Sequence, residues 1–553
     1  MSDLTGGAAT ESPAPPPAFS ANALFTLVSW LIPALAALIC LPITVNGLGP
    51  DVYGLLALVI AVTGYLGLME MGLGQAVLRY LAYYRARNEG HTVLAIVRVA
   101  LLWFIGAGAV GCVFMLVAAP WLTHSVLKMP PDLEGTATTV VRLSGFNFLL
   151  GMLVSLGAVI PQGFLRYDIA ASIATFLGTA NSVGMAIVVA SGGGVVLVVL
   201  FLMASNIVAC GLYGAFGWRL LSRLDRRAGP LWREVRRPVL TFAALTAATR
   251  AHTVVAAQTS RIVVGIAGGT TDAAYYQVPN MLSTRVNDLL SRVAQVLFPT
   301  GTDLLARGEH EALRTLYFRS SRIFFLVNGT VTMAVCVFAA PLLRYWVGPA
   351  FAEAGAVALV VFTATQGINA ITMAPGFLNL SADRPGVNLT FSLANSIINL
   401  ATVYSLTVRY GITGAALAGL LGAATVPFFM VFTHRRILHV PSLAWFRRCL
   451  APTIAGSTVV GLAAGFFVLP LCHRLLVTLL LWAACVLAAM ALSGVLGALS
   501  RDDLRTARRL AASVLGRGRR AAAATEDEDA EREMRAPEGP DESDRAGFDE
   551  DGD

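Results

Sequence analysis

Long apolar runs, separated by short segments rich in arginine, set the rhythm of this chain. Ala23–Val45 and Ala451–Leu471 contain no charged residue. A helix needs about 20 mainly apolar residues to cross a bilayer, because no water is present there to satisfy its backbone. The runs predict spans near 23–46, 52–77, 93–118, 138–160, 169–191, 195–218, 238–266, 272–298, 318–343, 354–380, 386–408, 412–433, 450–470 and 474–498. The expected fold class is therefore an all-α integral membrane protein of about fourteen transmembrane helices. Polar residues interrupt the sixth to eighth spans most.

Loop charges alternate with the spans. If the N-terminus is cytosolic, the cytosolic loops carry Arg79, Arg85, Arg87, Arg166, Arg219, Arg307, Arg314, Arg384, Arg435, Arg436, Arg447 and Arg448, among others. The opposite loops hold only Lys128 and arginines at helix ends, such as Arg344, Arg409 and Arg474. This asymmetry is the positive-inside pattern. It favours an even number of spans with both termini in the cytosol and, given the resemblance below, places the chain in a bacterial inner (plasma) membrane.

An internal repeat is also visible. Ala86-Arg87-Asn88-Glu89-Gly90-His91 resembles Ala306-Arg307-Gly308-Glu309-His310-Glu311, 220 positions later. The same offset sets Met129-Pro130-Pro131-Asp132 on Pro349-Ala350-Phe351-Ala352, each in the loop after the next span. Six spans, an even number, preserve orientation, so the halves should be parallel repeats about an axis along the membrane normal. The expected organisation is a first six-helix lobe (21–218), a basic cytosolic linker (219–237), a second six-helix lobe (238–433) and two C-terminal helices (450–498). A disordered start (1–20), a basic amphipathic segment (501–520) and a disordered acidic tail (521–553) complete it.

Composition adds a little. Only 13% of residues are charged, against about 25% in soluble domains. The net charge of +7 conceals an acidic tail attached to a strongly basic remainder. Because the arginines sit between spans, membrane orientation explains them better than nucleic acid does. The seven scattered cysteines suggest neither disulfide nor metal site. No P-loop, no HExxH and no convincing Ser/His/Asp set is present, so neither an enzyme nor a cofactor is expected.

Ionisable residues inside a membrane are costly and tend to mark pathways. The seventh span carries Arg250 and Arg261; the eighth carries Arg285, Asp288 and Arg292. Arg285, Asp288 and Arg292 share a helix face by spacing, widened into a polar stripe by Asn280, Asn287 and their neighbours. Lipid cannot solvate such stripes, so they should face each other or a water-filled cavity. Four arginines against one acid leave positive charge, and arginine can hold a phosphate through two parallel hydrogen bonds. Alternatively, Asp288 pairs with Arg285 or Arg292 and simply ties helices together. Glu70, near the cytosolic end of the second span, could couple an ion or pair with a neighbouring arginine.

The first ninety residues resemble a known family. Asn46-Gly47-Leu48-Gly49 precedes Asp51-Val52-Tyr53-Gly54; then come Glu70-Met71-Gly72-Leu73-Gly74-Gln75-Ala76 and Arg79-Tyr80-Leu81-Ala82. This arrangement is similar to the polysaccharide-transporter branch, the O-antigen and exopolysaccharide flippases, of the multidrug/oligosaccharidyl-lipid/polysaccharide exporter superfamily. Family members commonly have aspartate where this chain has Glu70. The resemblance implies export of an undecaprenyl-diphosphate-linked oligosaccharide by alternating access of two lobes around a cationic cavity. Partners would be that lipid-linked sugar, membrane lipids and the polymerase and glycosyltransferases of polysaccharide biosynthesis, with no nucleic acid. A lipid II flippase and a cation-coupled drug antiporter of the same superfamily are the nearest alternatives, and a non-transporting scaffold is a more distant one.

Overall fold

In a computed structural model, the structure describes residues 18–70, 72–127, 129–222, 224, 232–294 and 297–498. The expected basic segment 501–520 and acidic tail 521–553, with most of the 1–20 start and much of the 219–237 linker, lie outside the described residues. Every regular element among those described is helical. The helices are α1 (Ala18–Leu48), α2 (Pro50–Leu66), α3 (Leu73–Ala86), α4 (Gly90–Trp121), α5 (Pro131–Gly163), α6 (Tyr167–Ala190) and α7 (Val195–Leu221). They continue with α8 (Trp232–Ala294), α9 (Leu297–Ala306), α10 (His310–Val337), α11 (Ala339–Trp346), α12 (Pro349–Ala370) and α13 (Met373–Ser381). The last are α14 (Pro385–Ala423), α15 (Val426–Thr433), α16 (Ser442–Trp445), α17 (Ala451–Ala463) and α18 (Leu475–Ser493).

Eleven stretches of the described residues are long and apolar enough to cross a membrane. One of them, the 54-residue stretch Pro385–Leu438, turns back at Gly411 (φ 59, ψ −142) and so crosses twice. The 63-residue α8 is too polar to register as apolar, yet it turns back at Gly269 (φ 80, ψ −171) and brings Val264 against Tyr276 in one core cluster. Counting both arms of each gives the fourteen crossings that the apolar runs predict. The chain is thus an all-α, multi-pass membrane protein. The loops between crossings place Arg85, Arg307, Arg384 and Arg447 at one end of the bundle, here called the arginine-rich face; the other end is the far face.

The second span differs from a continuous helix over 52–77. It breaks into a 3-10 turn at Gly67–Glu70 and resumes as α3 after Gly72, whose φ of 64 is left-handed. Glycine takes that conformation without the steric cost a Cβ brings. At the arginine-rich face, His434 is fully buried. Its Nε2 meets the Tyr317 hydroxyl at 2.6 Å and its Nδ1 meets the Ser442 hydroxyl at 3.1 Å. That network, roofed by Trp445, fixes the turn from α15 into α16 and α17.

Backbone landmarks recur along the chain. Gly49 and Gly269 lie 220 positions apart, as do Asn88 and Gly308, and all four have positive φ. Glu89 and Glu309, again 220 apart, cap α4 and α10 with nearly the same dihedrals (−87, 66 and −81, 64). Leu165 and Asp383, 218 apart, are left-handed at corresponding turns.

The halves meet mainly along α2 and the first arm of α8. Gly54 lies against the Thr270 carbonyl, Gly265 against Leu58 and Gly64 against Gln258. Tyr65 hydrogen-bonds Thr259 and donates to the Val255 carbonyl at 3.3 Å. At the far face, Leu41, Val45 and Tyr53 share one core cluster with Ala274, Val278, Leu343 and Phe351. Trp346 Nε1 donates to the Leu38 carbonyl at 3.0 Å, and Thr271 donates to the Asp51 carboxylate. The far face is therefore sealed by packed apolar side chains and two interhalf hydrogen bonds.

Candidate functional site

A cavity of about 670 Å³ lies within the second half, between both arms of α8, α12, α13, α14 and α15. Helical spacing builds its lining. Asn388, Ser392, Asn395 and Asn399 recur at intervals of four, three and four along α14, and Thr365, Gln366 and Asn369 continue the wall on α12. These periods put the side chains on one face of each helix. Three aromatic rings, Phe362, Phe391 and Phe429, interleave with the amides. The lining contains one charged residue, Arg261.

Arg261 reaches from the first arm of α8 and is half-buried. Its Nη1 donates to Gln258 Oε1 at 3.4 Å, while its buried Nε has no hydrogen-bond partner among the described residues. A buried donor left unmet costs roughly 1–3 kcal/mol, so this guanidinium is arranged for an acceptor supplied from elsewhere. Some amides are already committed. Asn388 donates to the Gly376 carbonyl at 2.8 Å, and Ser260 donates to Asn399 Oδ1 at 3.3 Å. These bonds fix amide orientation and leave each group capacity for a further bond.

A second cavity, about 400 Å³, lies in the first half and is lined by Thr63, Glu70, Ser144, Asn147 and Asn206, with Gln258 entering from α8. Asn206 donates to Asn147 at 2.8 Å. Glu70 sits in the 3-10 turn with its carboxylate folded over α3; a Cβ on Gly74 would stand 2.6 Å from Oε1. The start of a helix favours a negative charge. Gln258 lines this cavity while accepting from Arg261, which lines the other, so one hydrogen bond joins the two.

The expected site residues therefore separate into groups. Arg261 and Asn280 share the large cavity. Asn287 instead ties the second arm of α8 to α12, donating to the Gln366 carbonyl at 2.8 Å and its Oε1 at 3.0 Å. Arg285 does not line the cavity, although its buried Nε, like Arg261's, has no hydrogen-bond partner among the described residues. Asp288 is exposed, and no ion pair joins it to Arg285 or Arg292 among the described residues. Arg292 stacks over Trp30 of α1 at 5.6 Å, bridging the halves near the arginine-rich face. Arg250 lies on the first arm of α8, with its side chain outside the described set.

The sequence model of the family described as "Polysaccharide biosynthesis protein" matches residues 19–305. A Shigella flexneri protein named "Putative O-antigen transporter" is 20% identical over 414 residues, covering 72% of this chain and 93% of its own length. An inward-facing multidrug resistance MATE family transporter of the MOP superfamily superposes with a TM-score of 0.64 at 17% identity, over 74% of this chain and 98% of that one. Lipid II flippase MurJ, in an inward closed conformation, superposes with a TM-score of 0.64 at 10% identity, over 85% of this chain and 98% of that one. At these identities the structural likenesses establish the fold.

Proposed function

The chain belongs to the polysaccharide biosynthesis protein family, and from that premise we propose that it is a flippase for a lipid-linked oligosaccharide. The substrate would be a sugar unit on a polyprenyl diphosphate such as undecaprenyl diphosphate, carried from the inner to the outer leaflet of the inner membrane. On this reading the arginine-rich face is cytosolic, and the two six-helix lobes alternate access to the cavity between membrane leaflets. The O-antigen name of the Shigella relative and the flippase named among the structural neighbours support the same class of cargo.

One observation carries the reading: an amide-lined cavity, walled by aromatic rings, with one guanidinium whose inner N–H has no acceptor among the described residues. Side-chain amides both donate and accept, as sugar hydroxyls do. Aromatic rings offer apolar faces to the C–H surface of a sugar. Arg261 supplies the charge for a phosphate, with Arg250 and Arg285 as further candidates along the path and Arg292 at its mouth. Drug recognition would not need so many amides. Glu70, held over the first turn of α3, fits a structural acid as well as a coupling one.

The test is transport of a fluorescent lipid-linked oligosaccharide by the protein in liposomes. Arg261→Ala should raise the substrate concentration for half-maximal rate about tenfold or more, from the loss of charge-assisted bonds worth about 1.5–3 kcal/mol. Arg261→Lys should recover part of the loss, because it keeps charge without the two-pronged geometry. Unchanged transport by Arg261→Ala and by Asn395→Ala would remove the cavity from the mechanism.

A further inference from the structure

We propose that Gln366 on α12 is a ligand for the diphosphate of the cargo, and that Asn287 on the second arm of α8 is the positioning residue that aims it. The assignment rests on the reading of the amide-lined cavity as the cargo site, and deepens it by naming a neutral donor for the charged group. Gln366 lines that cavity together with Arg261. The direction of its amide follows from which atoms can donate. Asn287 Nδ2 stands 2.8 Å from the Gln366 backbone carbonyl. A carbonyl oxygen only accepts, so a nitrogen must meet it there. The same Nδ2 donates to Gln366 Oε1 at 3.0 Å. Turning either amide over would set acceptor against acceptor or donor against donor. Gln366 Nε2 is left with two N–H groups, and it donates to no other group among the described residues.

Asn287 does more than tie helices. Asn328 has the plain form of such a tie: its Nδ2 donates to the Gly367 carbonyl at 3.2 Å, bonding α10 to α12. Asn287 adds a second bond, to a side chain that lines the cavity. Its own buried Oδ1 has no partner among the described residues, so this asparagine is placed for what its N–H groups hold. Space decides where Gln366 can find an acceptor. A notch that it shares with Ser283, Asn328 and Thr363 encloses about 10 Å³, at the limit for a single water. The cavity of about 670 Å³ that it also lines has room for a ligand.

Donors that await acceptors select the ligand. Arg261 Nε, in the same lining, also has no acceptor among the described residues. Sugar hydroxyls donate as well as accept, so they need no such one-sided arrangement. Phosphate oxygens accept, and hydrogen bonds to them are strengthened by their charge. A carboxylate on an acidic sugar shares that chemistry; the diphosphate is the choice because every polyprenyl-diphosphate cargo carries it, whatever its sugars. A neutral amide beside a guanidinium adds to the hold on an anion without adding charge, which suits a cargo that must also be released.

The experiment is ligand binding by the purified full chain in detergent, read by native mass spectrometry. The probes are farnesyl diphosphate, farnesol and methyl glucuronide. Gln366→Met, which removes the donors, should weaken farnesyl diphosphate binding about tenfold or more, as expected for one lost hydrogen bond to a charged acceptor. Gln366→Glu, which keeps an acceptor for Asn287 and loses the donors, should lose at least as much. Asn287→Leu should weaken binding severalfold in the wild-type chain and cost nothing further in the Gln366→Met chain, because there is no amide left to aim. Asn328→Leu, which breaks only the plain tie, should leave binding unchanged. Farnesol and methyl glucuronide should bind far more weakly than farnesyl diphosphate. Wild-type affinity in both Gln366 variants, with Arg261→Ala weakened, would overturn the assignment and leave the cargo site standing. Equal losses from Asn287→Leu in both backgrounds, or the same loss from Asn328→Leu, would reduce Asn287 to a helix tie. Methyl glucuronide displacing farnesyl diphosphate at lower concentration would overturn the choice of ligand. Farnesol binding as tightly as farnesyl diphosphate would overturn the cargo reading and the assignment together.

Discussion

The seal at the far face offers a measurable test of alternating access. Two hydrogen bonds tie the halves there: Trp346 Nε1 to the Leu38 carbonyl at 3.0 Å, and Thr271 to the Asp51 carboxylate. Asp51→Ala combined with Trp346→Phe removes both and keeps most of the aromatic area that packs beside Leu343 and Phe351. Hydrogen bonds between membrane helices average about 0.6 kcal/mol and reach about 1.7. One to a carboxylate is worth about 1.5–3 kcal/mol. Together the two changes should weaken the seal by about 3 kcal/mol, or about two orders of magnitude in the ratio of closed to open states. The assay is double electron–electron resonance on a cysteine-free background, with spin labels at Ser191 and Ala350, both exposed near this face. The double variant should show a growing long-distance population while remaining folded. An unchanged distance distribution would refute the claim that these contacts hold the far face shut.

Two further outcomes follow from the geometry. Gly74→Ala should reduce transport severalfold, because its Cβ would stand 2.6 Å from Glu70 Oε1 and force the carboxylate off the start of α3; normal transport would show that this placement is incidental. Reporter fusions after Gly90 and Gly229 should read as cytosolic and one after Pro131 as external, and an external signal at Gly229 would reverse the proposed direction of transport.

The crossings were legible because lipid imposes a harsh rule: an apolar run of sufficient length has few other uses. The same rule explains what was hard to read. Polar residues interrupt the two arms of α8, and the alternation of loop charges supports the spans that the runs predict there. The break at Gly67–Gly72 lies inside a stretch whose glycines are equally compatible with a continuous helix, and the π-turns at His434–Leu438 and Phe446–Leu450 leave no periodic trace. In the candidate site, attention to charge found Arg261 but passed over Asn388, Ser392, Asn395 and Asn399, whose spacing along one face was available in the sequence. Neutral amides are ambiguous there for a physical reason. Asn287 and Asn395 look alike in sequence, yet one ties α8 to α12 and the other lines a cavity. Helix rotation decides which, and side-chain packing sets rotation.

The recurrence of backbone landmarks about 220 positions apart bears on where the two halves meet. Asp51 and Thr271 lie 220 positions apart, the offset that also relates Gly49 to Gly269, and they are bonded to each other. Two positions related by a twofold axis can touch only beside that axis, so a parallel pseudo-twofold would pass through the far-face end of the α2–α8 contact. Around such an axis the backbone landmarks repeat, but the chemistry does not. Leu41 occupies the place of Arg261, Ile60 that of Asn280, and Leu290 that of Glu70. A scaffold that only needed to pack would have no reason to line one half's cavity with a guanidinium and the other's with a carboxylate. The asymmetry is what a transporter requires if one lobe holds the cargo and the other sets the conditions for movement, and it makes the second-half cavity the first place to look for sugar.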